Sequence, residues 1–192
     1  MSRRLPVILT SAEIAALLNA ARSAADAART PTKQLAAWRD FIMIETGMRA
    51  GPRIAELCSL QVPDIDLVGA VLMIRRGKGD RDRNVPIGAK LLRMLREWIG
   101  ERREGWVFSG PHGKKLSPRT FQLRLEQLAK AAGIHRRKAH PHVLRHCFAC
   151  ALLHTGSDIR EVQELLGHTN LVTTAIYLHV QPEQLKAAVD RL

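Results

Sequence analysis

Apolar positions in the first fifty residues recur at intervals of three and four, the spacing of helices with one buried face. Thr10-Ser11-Ala12-Glu13 is a capping-box signal. Ile14, Leu17, Leu18 and Ala21 follow it at helical spacing, which predicts a first helix of about three turns. Residues 22–30 are alanine-rich and either extend that helix or form a loop before Pro31. From Thr32 a second helix presents Leu35, Trp38, Ile42 and Glu45, with Phe41 and Ile44 widening its apolar face. The glycines and proline between Gly47 and Pro52 end it. Pro52 suits the first position of a short helix over residues 53–60.

The period then changes. Residues 68–76 and 83–87 are β-rich runs on either side of Gly77-Lys78-Gly79-Asp80-Arg81-Asp82, which predicts a hairpin. Leu91, Leu92, Leu95, Trp98 and Ile99 mark the next helix, and Trp106-Val107-Phe108 is a candidate third strand. Ser117-Pro118 starts a further helix and Gly133 stops it. That helix is two-faced, with Phe121, Leu125, Leu128 and Ala132 on one side and Arg119, Gln122, Glu126 and Lys130 on the other. Helices are expected at 142–154, 158–166 and about 170–178, with a short tail after Pro182. The fold class expected is mainly α with a small antiparallel β-sheet (α+β), in a single domain over residues 1–192.

Composition narrows the function classes. Thirty Lys and Arg against eighteen Asp and Glu leave a net charge of +12. Such an excess favours a polyanion, because cations that neutralise phosphates release condensed counterions. The bland alternatives are a ribosome-associated protein or an arginine-rich proteome, and charge alone does not say what is done to a nucleic acid. No apolar run reaches the length of a membrane span and the first residues carry no apolar signal core, so a cytoplasmic protein is expected. Metal is not expected. Cys147-x-x-Cys150 lies inside a helical pattern without a second pair, and the His142/His146 pair lacks the glutamate of H-E-x-x-H.

One chemistry draws on what remains. Displacement at a phosphodiester requires a nucleophile that loses its proton, cations on the phosphate oxygens, and a proton for the leaving alkoxide. Tyrosine, with an ordinary pKa of about 10, supplies the nucleophile only beside cations. Arginine suits the phosphate because its planar fork stays charged and binds two oxygens. Tyr177 is the only tyrosine, His142 and Arg145 share a helix face at i, i+3, and Lys78 sits in a glycine-rich turn. Taken alone, such a pair is usually a solvated face and such a lysine merely exposed.

Together these pieces resemble the catalytic domain of the tyrosine recombinases, such as the Xer and lambda-type integrases. The match is to His142-x-x-Arg145, Leu166-Gly167-His168 and Tyr177, with 23 residues from Arg145 to His168 and 9 from there to Tyr177. Gly77-Lys78-Gly79 through Val85-Pro86 is similar to the family's β-hairpin. The resemblance covers almost the whole chain from about Leu5. It departs at the first arginine, where Thr46-Gly47-Met48-Arg49 and Arg53-Ile54-Ala55-Glu56-Leu57 split a motif the family keeps together. Arg53 is preferred over Arg49 because it keeps the downstream register and stands in the first turn of a helix.

The resemblance implies a DNA breaking-rejoining architecture and a role for each residue. Tyr177 forms a 3′-phosphotyrosyl link; Arg53 and Arg145 bind the non-bridging oxygens; Lys78 protonates the 5′-hydroxyl leaving group. His142 acts in acid–base exchange, His168 hydrogen-bonds the phosphate, and Glu56 orients its neighbours. No metal, ATP or other cofactor is implied, and no G-x-x-x-x-G-K-[ST] loop occurs. The implied partner is double-stranded DNA, with a homotetramer assembled on it. Arg119, Gln122 and Lys130 on the two-faced helix are the candidates for reading it. The N-terminal core-binding domain common in relatives is expected to be absent. The alternatives are a type IB topoisomerase-like nicking-resealing enzyme and a DNA-binding regulator whose chemistry has lapsed.

Overall fold

A computed structural model of the chain describes residues 7–75 and 82–167. The capping box forms as expected: Thr10 Oγ1 accepts from the Glu13 N–H and the Glu13 carboxylate from the Thr10 N–H, opening α1 (Ser11–Asp26). α2 (Pro31–Ala50) starts from Thr30 and runs through Gly47 to stop at Gly51. Residues 39–47 of α2 are buried on every side, because α1, α4 and α6 all pack against it. Its buried polar groups are therefore paired. Asp40 meets Arg39 and Arg124, Glu45 meets Arg49 and Lys90, and Thr46 donates to the Ile42 carbonyl.

α3 (Ile54–Leu57) is shorter than expected. Arg53 is extended (φ −67°, ψ 154°) and caps the helix instead of lying in its first turn, because its N–H is taken by the Glu56 carboxylate at 2.7 Å. Pro52 accordingly precedes the cap. A 3₁₀ turn (Val62–Asp64) leads into an antiparallel sheet of β1 (Ile65–Asp66), β2 (Val71–Ile74) and β3 (Arg83–Pro86), in that order. Leu72 faces Val85 and Ile74 faces Arg83 across the central pair.

The third strand is thus residues 65–66 and not Trp106-Val107-Phe108. Trp106 makes a single bridge with Gln61, and Trp98 Nε1 donates to the Val107 carbonyl at 2.8 Å, occupying the acceptor a ladder would use. α4 (Ala89–Ile99) precedes that segment and α5 (Pro118–Ala131) follows it, capped by Ser117. α6 (Pro141–His154) and α7 (Ile159–Leu166) close the described part. The helix expected at about 170–178 and the tail after Pro182 lie outside the described residues.

The main core joins α1, α2, the sheet, α4, α5 and the first half of α6. The second half of α6 forms a separate small cluster with α7, through Phe148, Ala149, Cys150, Leu153, Val162 and Leu166. α7 consequently rests on α6 and the edge of β3, and polar contacts fasten its end to the rest. Among the described residues no helix is long and apolar enough to cross a membrane.

Candidate functional site

Two of the expected site residues, Arg53 and Arg145, meet at the C-terminus of α7. A helix end exposes carbonyls without intrahelical partners and carries partial negative charge, so cations settle there. Three arginines from three distant segments do so. Arg83 Nε donates to the Leu165 carbonyl at 2.9 Å, Arg145 NH2 to Leu166 at 2.5 Å, and Arg53 NH2 to Gly167 at 3.3 Å. Gly167 itself adopts the left-handed conformation that ends the helix.

Each arginine is delivered by a local feature. Arg145, on α6, is buried to 4% exposure and its NH1 also donates to the Gly51 carbonyl at 2.6 Å. Gly51 presents that carbonyl because α2 ends there with φ +63°. A Cβ at this position would lie 2.3 Å from Phe148 Cδ1, so only glycine fits. Arg53 follows two residues later as the cap of α3. Arg83 is on the inward face of β3, alternating with Asn84 and sharing that face with Val85.

Glu56 holds two of the three together. Its carboxylate receives NH1 and NH2 of Arg83 at 3.0 and 2.8 Å, NH1 of Arg53 at 3.0 Å, and the Arg53 N–H. Burial alone would raise its pKa. The hydrogen bonds from Arg83 and from the Arg53 backbone outweigh burial and hold the carboxyl down at about 2. Glu56 therefore stays ionised, and among the described residues three guanidinium groups against one carboxylate leave positive charge at the end of α7.

Arg49 lies elsewhere. It closes an i, i+4 pair with Glu45 at 2.6 Å, in a group completed by Lys90 of α4. Of the two arginines, only Arg53 joins the cluster containing Arg145. His142 is exposed in the first turn of α6, with its ring 6.5 Å from that of His140. Burial, then the neighbouring His142, His140 and Arg145 charges, push the His146 pKa down to about 4, so this ring is neutral at physiological pH. Lys78, His168 and Tyr177 lie outside the described residues.

On α5, Phe121, Leu125, Leu128 and Ala129 are buried, while Ala132 is only half-buried. Arg119 and Lys130 are exposed, and Gln122 donates to Glu126 at 2.9 Å, one turn along its own helix. Lys130 lines a cavity of about 660 Å³ together with Arg136 and Arg137, which follow α5 in a 3₁₀ turn. Cys147 and Cys150 are buried thiols, both pushed above their ordinary pKa by burial. No group of three His, Cys, Asp or Glu suited to a metal occurs among the described residues.

Sequence reasoning missed Arg83. The period-two pattern held the signal for Arg83, since it puts this arginine in phase with Val85 on the core side of its strand.

Fold and site together define a mainly helical domain with one small sheet and a cationic seat at a helix terminus. The chain belongs to the phage integrase family, whose model matches residues 8–184. It is 37% identical over 191 residues to the tyrosine recombinase XerC of Xanthomonas axonopodis pv. citri (strain 306), covering 98% of this chain and 59% of that protein. It is 38% identical to XerC of Xylella fastidiosa (strain M23), covering 98% and 61%. The chain thus spans about three fifths of the length of these curated relatives. Among solved structures, XerA recombinase superposes with a TM-score of 0.79 at 30% identity, over 99% of this chain and 66% of that one. The XerH site-specific recombinase in a post-cleavage complex with palindromic difH substrate gives 0.79 at 28%, over 97% and 53%.

Proposed function

We propose that this chain is the catalytic domain of a site-specific DNA recombinase that cleaves and rejoins double-stranded DNA through a 3′-phosphotyrosyl intermediate on Tyr177. The observation that carries the reading is the seat of Arg53 and Arg145 on neighbouring carbonyls, Gly167 and Leu166, immediately before His168. Kinship with recombinases solved on their DNA substrate supports it.

In this reading the Tyr177 hydroxyl attacks phosphorus as its proton leaves. The P–O5′ bond breaks and the 5′-oxygen takes a proton from Lys78. Arg53 and Arg145 hold the non-bridging oxygens, where charge accumulates in the pentacoordinate state. His168 adds a hydrogen bond to the phosphate, and His142 exchanges protons with the tyrosine and the phosphate. The new ester conserves the energy of the broken bond, so religation by a 5′-hydroxyl needs neither ATP nor a metal.

Arg119, Gln122 and Lys130 contact the duplex from α5, and four copies assemble on the DNA in the cytoplasm. The test uses nicked duplexes tiled across the DNA that flanks the gene. Escape of the short strand beyond the nick traps the covalent protein–DNA adduct on the correct site. Adduct and strand exchange between two duplexes are expected. Relaxation of supercoiled plasmid without exchange would identify a topoisomerase instead, and binding without adduct a regulator.

A further inference from the structure

Glu56 confronts the proposed phosphate seat with a difficulty. An ionised carboxylate that accepts two bonds from Arg53, one from its NH1 and one from its N–H, cancels the charge that Arg53 is needed to offer. Arg83 resolves it. Its guanidinium meets the carboxylate as a fork, one N–H on each oxygen, at 3.0 and 2.8 Å. The two arginines differ in exposure, with the Arg83 side chain 8% exposed and that of Arg53 38%. The buried arginine is matched to the acid, and the more exposed one is left facing outward. Arg83 Nε simultaneously holds the Leu165 carbonyl, one residue before the carbonyl held by Arg145.

We propose that Arg83 is a positioning residue, which neutralises Glu56 and clamps the end of α7 so that Arg53 keeps its charge for the DNA phosphate. This rests on the recombinase reading for its consequence in catalysis, and on the geometry alone for its effect on Arg53. Without Arg83, the Glu56 carboxylate loses its forked partner and draws more on Arg53. With both Arg83 and Glu56 neutral, this carboxylate no longer competes with phosphate for Arg53. A role confined to stability predicts the opposite ranking, because the second substitution removes a further contact.

The experiment compares the parent chain with Arg83→Met and with Arg83→Met/Glu56→Gln. It measures thermal melting, the rate of adduct formation on the nicked duplex, and the affinity of inorganic phosphate followed at the Arg53 Nε–H by NMR. Arg83→Met is expected to slow the adduct about 100-fold and weaken phosphate about tenfold, while the double variant recovers to within about tenfold of the parent rate. A double variant no faster than Arg83→Met overturns the proposal, as does an Arg83→Met rate within about threefold of the parent. If Arg83→Met does not fold, the double variant decides: folded and near the parent rate supports the proposal, folded and inactive overturns it. If the parent itself forms no adduct, the recombinase reading falls. Phosphate affinity then judges Arg83 separately, with equal affinities in all three proteins counting against it.

Discussion

Glu56 makes the stability of this domain acid-sensitive in a predictable window. Its pKa in the folded chain is about 2, below the ordinary value of 4.5, because Arg83 and the Arg53 backbone bond the ionised form. The unfolded chain therefore binds this proton more readily, so the stabilisation is complete above about pH 5 and is lost as the pH falls toward 2. Holding the carboxyl at this value is worth about 3 kcal/mol at neutral pH, of which about 1.5 kcal/mol is gone by about pH 3.5. Urea unfolding of the parent and of Glu56→Gln at about pH 7 and about pH 3.5 isolates that share, since other carboxylates titrate in both proteins. Glu56→Gln is less stable at neutral pH, because two guanidinium groups lose their anion. On acidification the parent should lose about 1.5 kcal/mol more than the variant. Equal losses would show that Glu56 is not held ionised by the arginines. A smaller loss in the parent would show that burial outweighs them.

Gly51→Ala should destabilise by about 2–4 kcal/mol, from the left-handed backbone and the collision with Phe148, read as a lower urea midpoint at unchanged slope. A cost below about 0.5 kcal/mol would mean that α2 ends differently. Arg53→Ala should abolish the adduct on a nicked duplex, and Arg49→Ala should leave it within about tenfold of the parent; the reverse ranking would move the phosphate seat to the Glu45 group. Duplex affinity should fall steeply with salt, and Lys130→Ala should flatten that dependence by about one unit of log–log slope. An unchanged slope would remove Lys130 from the interface.

Local signals were legible wherever one segment contains them. Thr10 with Glu13, and Ser117 with Pro118, state their helix starts within four residues, and the structure forms both. The hairpin and its flanking helices follow from changes of period in the same way. Features decided by distant partners were not legible. Residues 65–66 became a strand because Val71 and Leu72 lie opposite them, while Trp106-Val107-Phe108 lost that place once Trp98 reached the Val107 carbonyl. Arg53 was read as a first-turn residue, and the carboxylate of Glu56 makes it a cap. Its approach to Arg145 depends on a carbonyl 114 residues away, which periodicity cannot register. Arg83 was read only as the start of a β-rich run, which says nothing of a carboxylate 27 residues away. In this domain it sits in the core, paired with Glu56.

The central claim is that Tyr177 becomes covalently joined to DNA. The most direct measurement is mass spectrometry of the protease-digested adduct formed on the nicked duplex, with Tyr177→Phe as the paired control. The account predicts a nucleotide mass on the peptide containing Tyr177, linked through a 3′-phosphate, and no adduct from Tyr177→Phe. An adduct on any other residue, or one that survives Tyr177→Phe, would contradict it.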